Sequence, residues 1–541
     1  MRNKNILQKD YTINGYSHQL KMPIDTEFMI PKDDSVRLLS QVIEEMDLKE
    51  LYKTYSRIRE NQVTPRQMLK IMIYAYMNRI YSSRGMESAC KRDINFFYLL
   101  EGKPAPDHST IARFRTCHFA QVSKNIMAEM TNLLSDCREI SFENLFVDGT
   151  KIESTANKYT FVWKKGVDKS LKKMINKIPN FVAKAEENFG ITVIYGDTID
   201  LRHLKKLRKK LKKIQLEEGV VFVHGIGKRK SLLQKTIEEL EGYIERFKKY
   251  VHQLHLCGDR NSYSKTDVDA TFMRMKEDYM RNGQLKPAYN LQLGVDSEYV
   301  TWVTVGPQAT DTTMLPSFLD EVKKYTEHTY RNIVADSGYE SEENYMYLEA
   351  NNQLAFIKPA NYEISKSRKF KTDISRKENM EYNAEDDCYI CKNNRKLIVS
   401  GQKKTKTKTG YQTVKTVYTC ESCCGCGYRS RCIKGNNSKI PLEERTKRLE
   451  ISKIFQAKRQ ENLDRILSDK GIELRVNRSI QAEGAFADIK EDMEFRRFLT
   501  RGNKNVLSES ILLALGHNIN KLHHKIQNER CSKHLHKVKS A

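Results

Sequence analysis

Asn144-Leu145-Phe146-Val147-Asp148-Gly149-Thr150-Lys151-Ile152-Glu153 reads as an apolar strand that ends on an acid followed by a turn glycine. A second stretch, Asn332-Ile333-Val334-Ala335-Asp336-Ser337-Gly338-Tyr339, repeats that grammar. Between them, residues 288–296 (AYNLQLGVD) and 299–305 (YVTWVTV) are so closely spaced that a hairpin is predicted. A helix is expected from about 312 to 325, another beginning at Ser341, and a short strand over 354–357. The order strand, hairpin, helix, strand, helix, strand predicts a mixed α/β sheet. If the two acid-bearing strands are neighbours, Asp148 and Asp336 share one edge of it.

Outward from this sheet the sequence changes character. From about Thr64 it reads as short helices, with Thr64 placed to cap, Pro65 at a first helical position, and Met68, Leu69, Met72, Ile73 and Tyr76 at helical spacing. Asp107 is placed as a further cap, and Arg113 and Arg115 flank Phe114. That pair could present a recognition helix to DNA, or be surface charge around a core Phe114; spacing weights the two equally. After the first acid, Leu233, Ile237, Leu240, Ile244, Phe247, Val251 and Leu254 alternate by four and three. Leu204, Leu207, Leu211 and Ile214 form a shorter stripe, so an antiparallel helical hairpin is expected, closing within the chain or across a dimer. Lys205, Lys206, Arg208, Lys209, Lys210, Lys212 and Lys213 read as its solvated face, with phosphate contact as the alternative.

At 541 residues the chain is too long for one ordinary core. Lys and Arg total 94 against 69 Asp and Glu, a formal charge of +25. Such an excess attracts a polyanion, and nucleic acid leads the candidates. Residues 1–25 lack the apolar run of a signal peptide, and no stretch approaches the ~20 apolar residues that span a bilayer, so a cytoplasmic protein with no membrane partner is expected. Of twelve cysteines, seven lie between Cys388 and Cys432. In a reducing compartment this crowding points to a metal rather than disulfides, and thiolate pairs suit tetrahedral zinc. Spacing alone favours Cys388, Cys391, Cys420 and Cys423.

Two acids on one edge suit divalent metal chemistry on phosphodiesters, where two Mg²⁺ ions ~3.5–4 Å apart need hard oxygen ligands. A third carboxylate is expected from an element packed over that edge. Glu483, Phe486 and Lys490 fall on one helical face, which would turn Glu483 inward behind a buried Phe486 and aim Lys490 at phosphate. Asp488, Glu491, Asp492 and Glu494 compete for the role.

The blocks Phe146-Val147-Asp148-Gly149-Thr150-Lys151-Ile152-Glu153, Tyr289-Asn290-Leu291-Gln292, Val334-Ala335-Asp336-Ser337-Gly338-Tyr339 and Gln481-Ala482-Glu483-Gly484-Ala485-Phe486 resemble those around the three acids of DDE transposases of bacterial insertion sequences. The likeness extends to Ser109-Thr110-Ile111-Ala112-Arg113-Phe114-Arg115 and to Arg501-Gly502 with Val506. It implies a ribonuclease-H-like core with Asp148, Asp336 and Glu483 as catalytic ligands of Mg²⁺ or Mn²⁺. It further implies cleavage at element ends and transfer of the 3′-hydroxyl to target DNA, without a covalent protein intermediate. Many relatives carry an Arg four residues and a Tyr seven residues before the Glu. Here those places hold Ser479 and Val476, with Arg478 one residue off, whereas Lys490 keeps its seven-residue step. Likeness to the family's Cys-rich insertion favours Cys391, Cys423, Cys426 and Cys432 as structural zinc ligands, with Cys388 and Cys420 as alternatives.

The organisation expected is a helical DNA-binding unit over 1–135, a catalytic core from 136–162 and 262–360, the hairpin insertion at 163–261, and a zinc-ribbon-like insertion at 361–440. A C-terminal helical part of the core at 441–525 and a basic tail at 526–541 follow. Arg113, Arg115, Arg478, Lys490, Arg497 and Arg501 are the DNA-binding candidates. Double-stranded DNA, both element ends and target, is the expected partner, with a homo-oligomer, dimer favoured, in a nucleoid-associated location. A nuclease that cuts without strand transfer and an inactive domesticated DNA-binding protein are the alternatives.

Overall fold

The computed structural model describes residues 29–57, 60–196, 198–225, 227–275, 283–435, 438 and 440–537. The expectation for residues 1–25 falls outside them. Helices α1 (Ser35–Glu45), α2 (Pro65–Met77), α3 (Ser83–Cys90), α4 (Ile94–Leu100), α5 (His108–Arg113) and α6 (Ala120–Asp136) form the N-terminal part. α2 starts as read: Thr64 accepts from the Gln67 N–H, the Gln67 side chain reaches back, and Pro65 takes the first turn. Asp107 caps α5 by accepting from the Thr110 N–H. These helices close no separate core. Leu39, Met72, Phe96 and Ile126 share one apolar cluster with Phe146, Leu293 and Trp302 of the sheet.

The main sheet has six strands: β1 (Asn144–Glu153), β2 (Thr271–Arg274), β3 (Leu285–Asp296), β4 (Tyr299–Gly306), β5 (Asn332–Ala335) and β6 (Leu354–Ile357). β1 is central, antiparallel to β3 on one side and parallel to β5 on the other, with β6 parallel beyond β5. β2 and β4 pair with successive parts of β3. The expected β3–β4 hairpin turns at Ser297 and Glu298, whose φ angles of 56° and 72° match a two-residue turn twisted with the strands. Helices α10 (Leu315–Thr326) and α11 (Glu342–Ala350) fill the predicted helical slots.

Two expectations are corrected. β1 does not stop at Asp148 but runs on against β3 to the Glu153–Ala288 pair; what stops there is its parallel pairing with β5. The insertion is not a two-helix hairpin but three helices, α7 (Lys164–Phe189), α8 (Leu201–Glu217) and α9 (Leu232–Cys257), around their own core. Met174, Ile178, Val182 and Ala185 of α7 complete the stripes of Leu204, Leu207 and Leu211 and of Leu233, Ile237, Leu240 and Ile244. The seam thus closes within the chain, and Val251, expected inside it, is 47% exposed.

The Cys-rich region builds a second antiparallel sheet from β7 (Glu381–Asn383), β8 (Cys388–Ile390), β9 (Lys396–Lys406), β10 (Gln412–Cys420) and β11 (Arg448–Ile451). The lysine run near 403–408 lies in the β9–β10 hairpin. Its tip docks on α11 through Thr409 and Thr413, which donate to Glu343 and Glu342 at 2.6 and 2.7 Å. Helices α12 (Lys453–Leu467) and α13 (Asp469–Arg478) lead through a π-helical turn, Ser479–Glu483, and a second one, Asp488–Asp492, to the buried α14 (Asn503–Gln527). The described part of the expected basic tail folds back: the His534 carbonyl accepts from Gln481 and the His536 N–H donates to Asn477. Among the described residues no helix is long and apolar enough to cross a membrane.

Candidate active site and cysteine cluster

The last parallel pair between β1 and β5 is Val147 with Ala335. Asp148 is the next residue of β1 and Asp336 the first residue after β5, so the register sets them side by side where the parallel pairing ends. Strands lie ~4.8 Å apart, which makes such neighbours a close pair of acids. Each acid is held by its own turn: Asp148 Oδ1 accepts from the Gly149 N–H and Asp336 Oδ1 from the Gly338 N–H, both at 2.8 Å. Burial pushes the Asp148 carboxyl above its ordinary range, opposed by Arg478 and the Gly149 N–H and reinforced by the negative charge of Asp336 and Glu483.

Glu483 arrives over this edge from the first π-helical turn, which packs on β1 and β3. Arg478 ties it in. One guanidinium nitrogen lies 3.3 Å from Asp148 Oδ2 and the other 2.7 Å from Glu483 Oε1. The π turn also accounts for the spacing departure. A π turn holds one more residue than an α turn, so an Arg five residues before the Glu reaches the position that a four-residue step reaches in an α-helix. Phe486 is buried as expected and Lys490 lies half-buried within the second π turn.

A fourth acid, missed in the sequence, borders the same edge. Asp311, in the loop before α10, accepts from Asn290 Nδ2 and Gln292 Nε2 of β3, each at 2.7 Å. The Tyr339 hydroxyl donates to Gln292 Oε1. This polar cluster lies directly beneath both acid-bearing turns. A methyl group at Gly149 would fall 2.3 Å from Gln292 Nε2 and 2.7 Å from Asp311 Oδ1, and one at Gly338 would fall 3.3 Å from Asp311 Oδ2. Two buried amides on alternate residues of an apolar strand were the available signal, because such groups require partners.

The other candidate residues are scattered. Arg113 is exposed. Arg115 is not available to DNA: it is buried in the π-helical turn Phe114–Phe119 and donates to the Tyr81 carbonyl at 3.2 Å. Arg497 bridges to the end of β1 and donates to the carbonyls of Ser154 and Ala156, while Arg501 is exposed next to Gly502.

Cys391, Cys420, Cys423, Cys426 and Cys432 line one cavity of about 20 Å³, roughly the room for a single small occupant. Cys388 lies on β8 and does not line it, so the set favoured by spacing alone does not converge there. Burial pushes the Cys432 thiol up; Lys447 opposes this, and the neighbouring Cys391, Cys423 and Cys426 add to it. Cys423 Sγ accepts from the Lys447 N–H at 3.3 Å, and Gly425, at φ 67°, turns the chain between Cys423 and Cys426. Among the described residues no three His, Cys, Asp or Glu side chains converge closely enough, as placed, to hold a metal ion. At the carboxylates the cation in place is Arg478. Two carboxylates at adjacent strands and a third on the π-helical turn are hard oxygen donors, the kind a divalent cation takes.

Residues 390–523 match the family described as Transposase DDE domain, and residues 24–117 match Transposase domain (DUF772). The first match spans the cysteine cavity's ligand candidates and Glu483; Asp148 and Asp336 lie outside both. No curated protein and no solved structure matches the chain. The first match indicates an enzyme that cleaves and transfers phosphodiesters. The two matches together support a DDE transposase of an insertion element. That family normally uses divalent metal ions.

Proposed function

We propose that the chain cleaves the ends of a DNA insertion element and joins the freed 3′-hydroxyl to target DNA, using Asp148, Asp336 and Glu483 on a ribonuclease-H-like core. The observation that carries this is the register: both aspartates follow the last parallel pair, and Arg478 joins the first of them to Glu483. The sheet supports the core assignment, because a central strand is antiparallel to a hairpin on one side and parallel to two strands on the other.

The three carboxylates would hold Mg²⁺ or Mn²⁺, which when bound activates the attacking oxygen and stabilises the leaving one. The protein's own part is placement. The Asp148 and Asp336 turns hold their carboxylates through backbone N–H groups, and Asp311 with Asn290 and Gln292 keeps both turns in register. Arg478 neutralises Asp148 and Glu483 and lies within reach of a phosphate brought to them. Lys490, Arg501 and Arg113 supply further phosphate contacts along the duplex. Paired cleavage of two ends calls for a dimer.

Cys391, Cys423, Cys426 and Cys432 would hold a structural zinc, supported by their shared cavity and the turn at Gly425. Zinc content should fall in Cys426→Ser and persist in Cys388→Ser; equal content in both sinks the assignment.

Asp148→Asn should abolish strand cutting while duplex binding stays at the parental level. Surviving cleavage overturns the carboxylate assignment. Cleaved DNA without any joined product from the parental enzyme restricts the activity to a nuclease.

A further inference from the structure

The three-helix insertion contains a second feature that neither the carboxylates nor the cysteines use. Residues 164–257 carry 22 Lys and Arg against 11 Asp and Glu, +11 of the chain's +25. The charge is not spread evenly. α7 and α9 pack along each other, and between them runs an open groove of about 580 Å³. Asn176 and Lys177, three and four residues after Lys173, line one wall with it, and Tyr243, Arg246 and Tyr250 line the other at steps of three and four. Each wall is therefore a single helix face.

Surface lysines are usually solvated, and those that pair with an acid gain little from it. Here, among the described residues, neither Lys173 nor Lys177 has an acidic partner. Arg246 lies over the Tyr243 ring, 4.9 Å from its centre, its Nε donates to the Gly242 carbonyl, and among the described residues no acid pairs with it. On α8, by contrast, Lys212 and Lys213 are already paired with Glu241 and Glu217. Three unneutralised cations converging on a concave, aromatic-floored trough focus positive potential more than an exposed stripe does. The polar Asn176 amide and the aromatic faces suit a sugar-phosphate chain, which presents both anionic oxygens and apolar sugar edges.

We infer that this groove binds the phosphate backbone of double-stranded DNA, separately from the carboxylate edge. The inference rests on the transposase reading and deepens it, because it makes the insertion the part that holds duplex outside the cut. Either element-flanking DNA or target DNA can supply that backbone.

The test uses the full chain and two triple variants of equal charge loss. One is Lys173→Gln/Lys177→Gln/Arg246→Gln in the groove; the other is Lys205→Gln/Lys206→Gln/Lys209→Gln on exposed positions of α8. Binding is measured over a salt series on two short duplexes, one drawn from DNA flanking the reading frame and one of unrelated sequence. The groove variant should lose about tenfold or more in affinity at moderate salt, and its log–log salt slope should shrink by about 2 to 3, at ~0.9 per phosphate contact. The α8 variant should show a distinctly smaller change in slope. Loss on the flanking duplex alone supports the inference with element DNA as occupant, and loss on both supports it with any duplex. An unchanged groove variant, or two triples that weaken alike, overturns it, since the effect is then net charge only. Asp148→Asn, which keeps the groove, separates this outcome from failure of the catalytic reading.

Discussion

At the residue scale, the site is governed by what cannot fit. Gly149 has no positive φ, so its requirement comes from close approach, with the Gln292 amide and the Asp311 carboxylate where a Cβ would stand. Gly149→Ala should therefore displace Gln292 and Asp311, shift the Asp148 turn, and cut the cleavage rate at least about a hundredfold, the scale of a ~1 Å misplacement. Duplex affinity should remain within a factor of about two, because no phosphate contact is removed. Single-turnover cleavage beside an anisotropy titration checks this, and parental rates would show that the cluster tolerates the methyl group. That Asp148 and Asp336 neighbour each other could be read because an acid and a glycine after an apolar run mark where parallel pairing stops, although β1 itself runs on past Asp148. Asp311 was not, since it sits in a loop with no periodicity and is recruited only by two amides whose partner is distant in sequence. Arg115 was misread for the related reason that a π-helical turn changes which side of a helix a residue faces, and no residue type announces such a turn.

At the element scale, the apolar strands and the β3–β4 hairpin could be read because alternation and a short loop leave few other solutions. α7 escaped because Pro179, a residue that usually ends a helix, lies inside it and most of its residues are polar, although Met174, Ile178, Val182 and Ala185 keep a helical step. The β7–β11 sheet escaped because β9 exposes nearly every residue along its length, so hydrophobicity carries no period. The hairpin also carries a measurable electrostatic load. Burial pushes the Asp296 carboxyl up to about 6, although Ser297, Ser141 and Phe142 all donate to it. A carboxyl whose folded pKa exceeds its unfolded value of 3.8 keeps its proton longer in the folded state. Stability from this group is thus highest below pH ~3.8 and declines as pH rises toward ~6, by up to about 3 kcal/mol at ~1.4 per unit. Asn at this position can still accept both backbone N–H groups, so Asp296→Asn should flatten that decline. Urea midpoints across the interval report it, and a parallel pH slope in the variant would assign the decline to other groups.

At the scale of the whole molecule, the N-terminal helices, the sheet and α14 behave as one body because they share a core, which a reading of linear segments could not disclose. Glu139, between α6 and β1, is the polar counterpart of that core. It accepts from the Tyr299 hydroxyl of β4 and the Ser532 N–H at 2.8 and 2.7 Å, and lies 3.4 Å from the Lys525 ammonium of α14. Lys525 in turn donates to the Ser297 carbonyl at the β3–β4 turn. Both charged side chains are almost wholly buried, at 1% and 3% exposure, so neither can fall back on water. Lys525→Met should strip the buried Glu139 carboxylate of its cation, costing about 3–5 kcal/mol. Because the pair spans the shared core, the melting temperature should fall in one step for probes in the N-terminal helices and in the sheet alike. Adding Glu139→Gln removes the stranded charge, and the double variant should regain much of the loss, as expected when the penalty is desolvation rather than a missing attraction. Equal destabilisation in the single and double variants would instead mean that the carboxylate's bonds to Tyr299 and Ser532, not its charge balance, hold the three parts together.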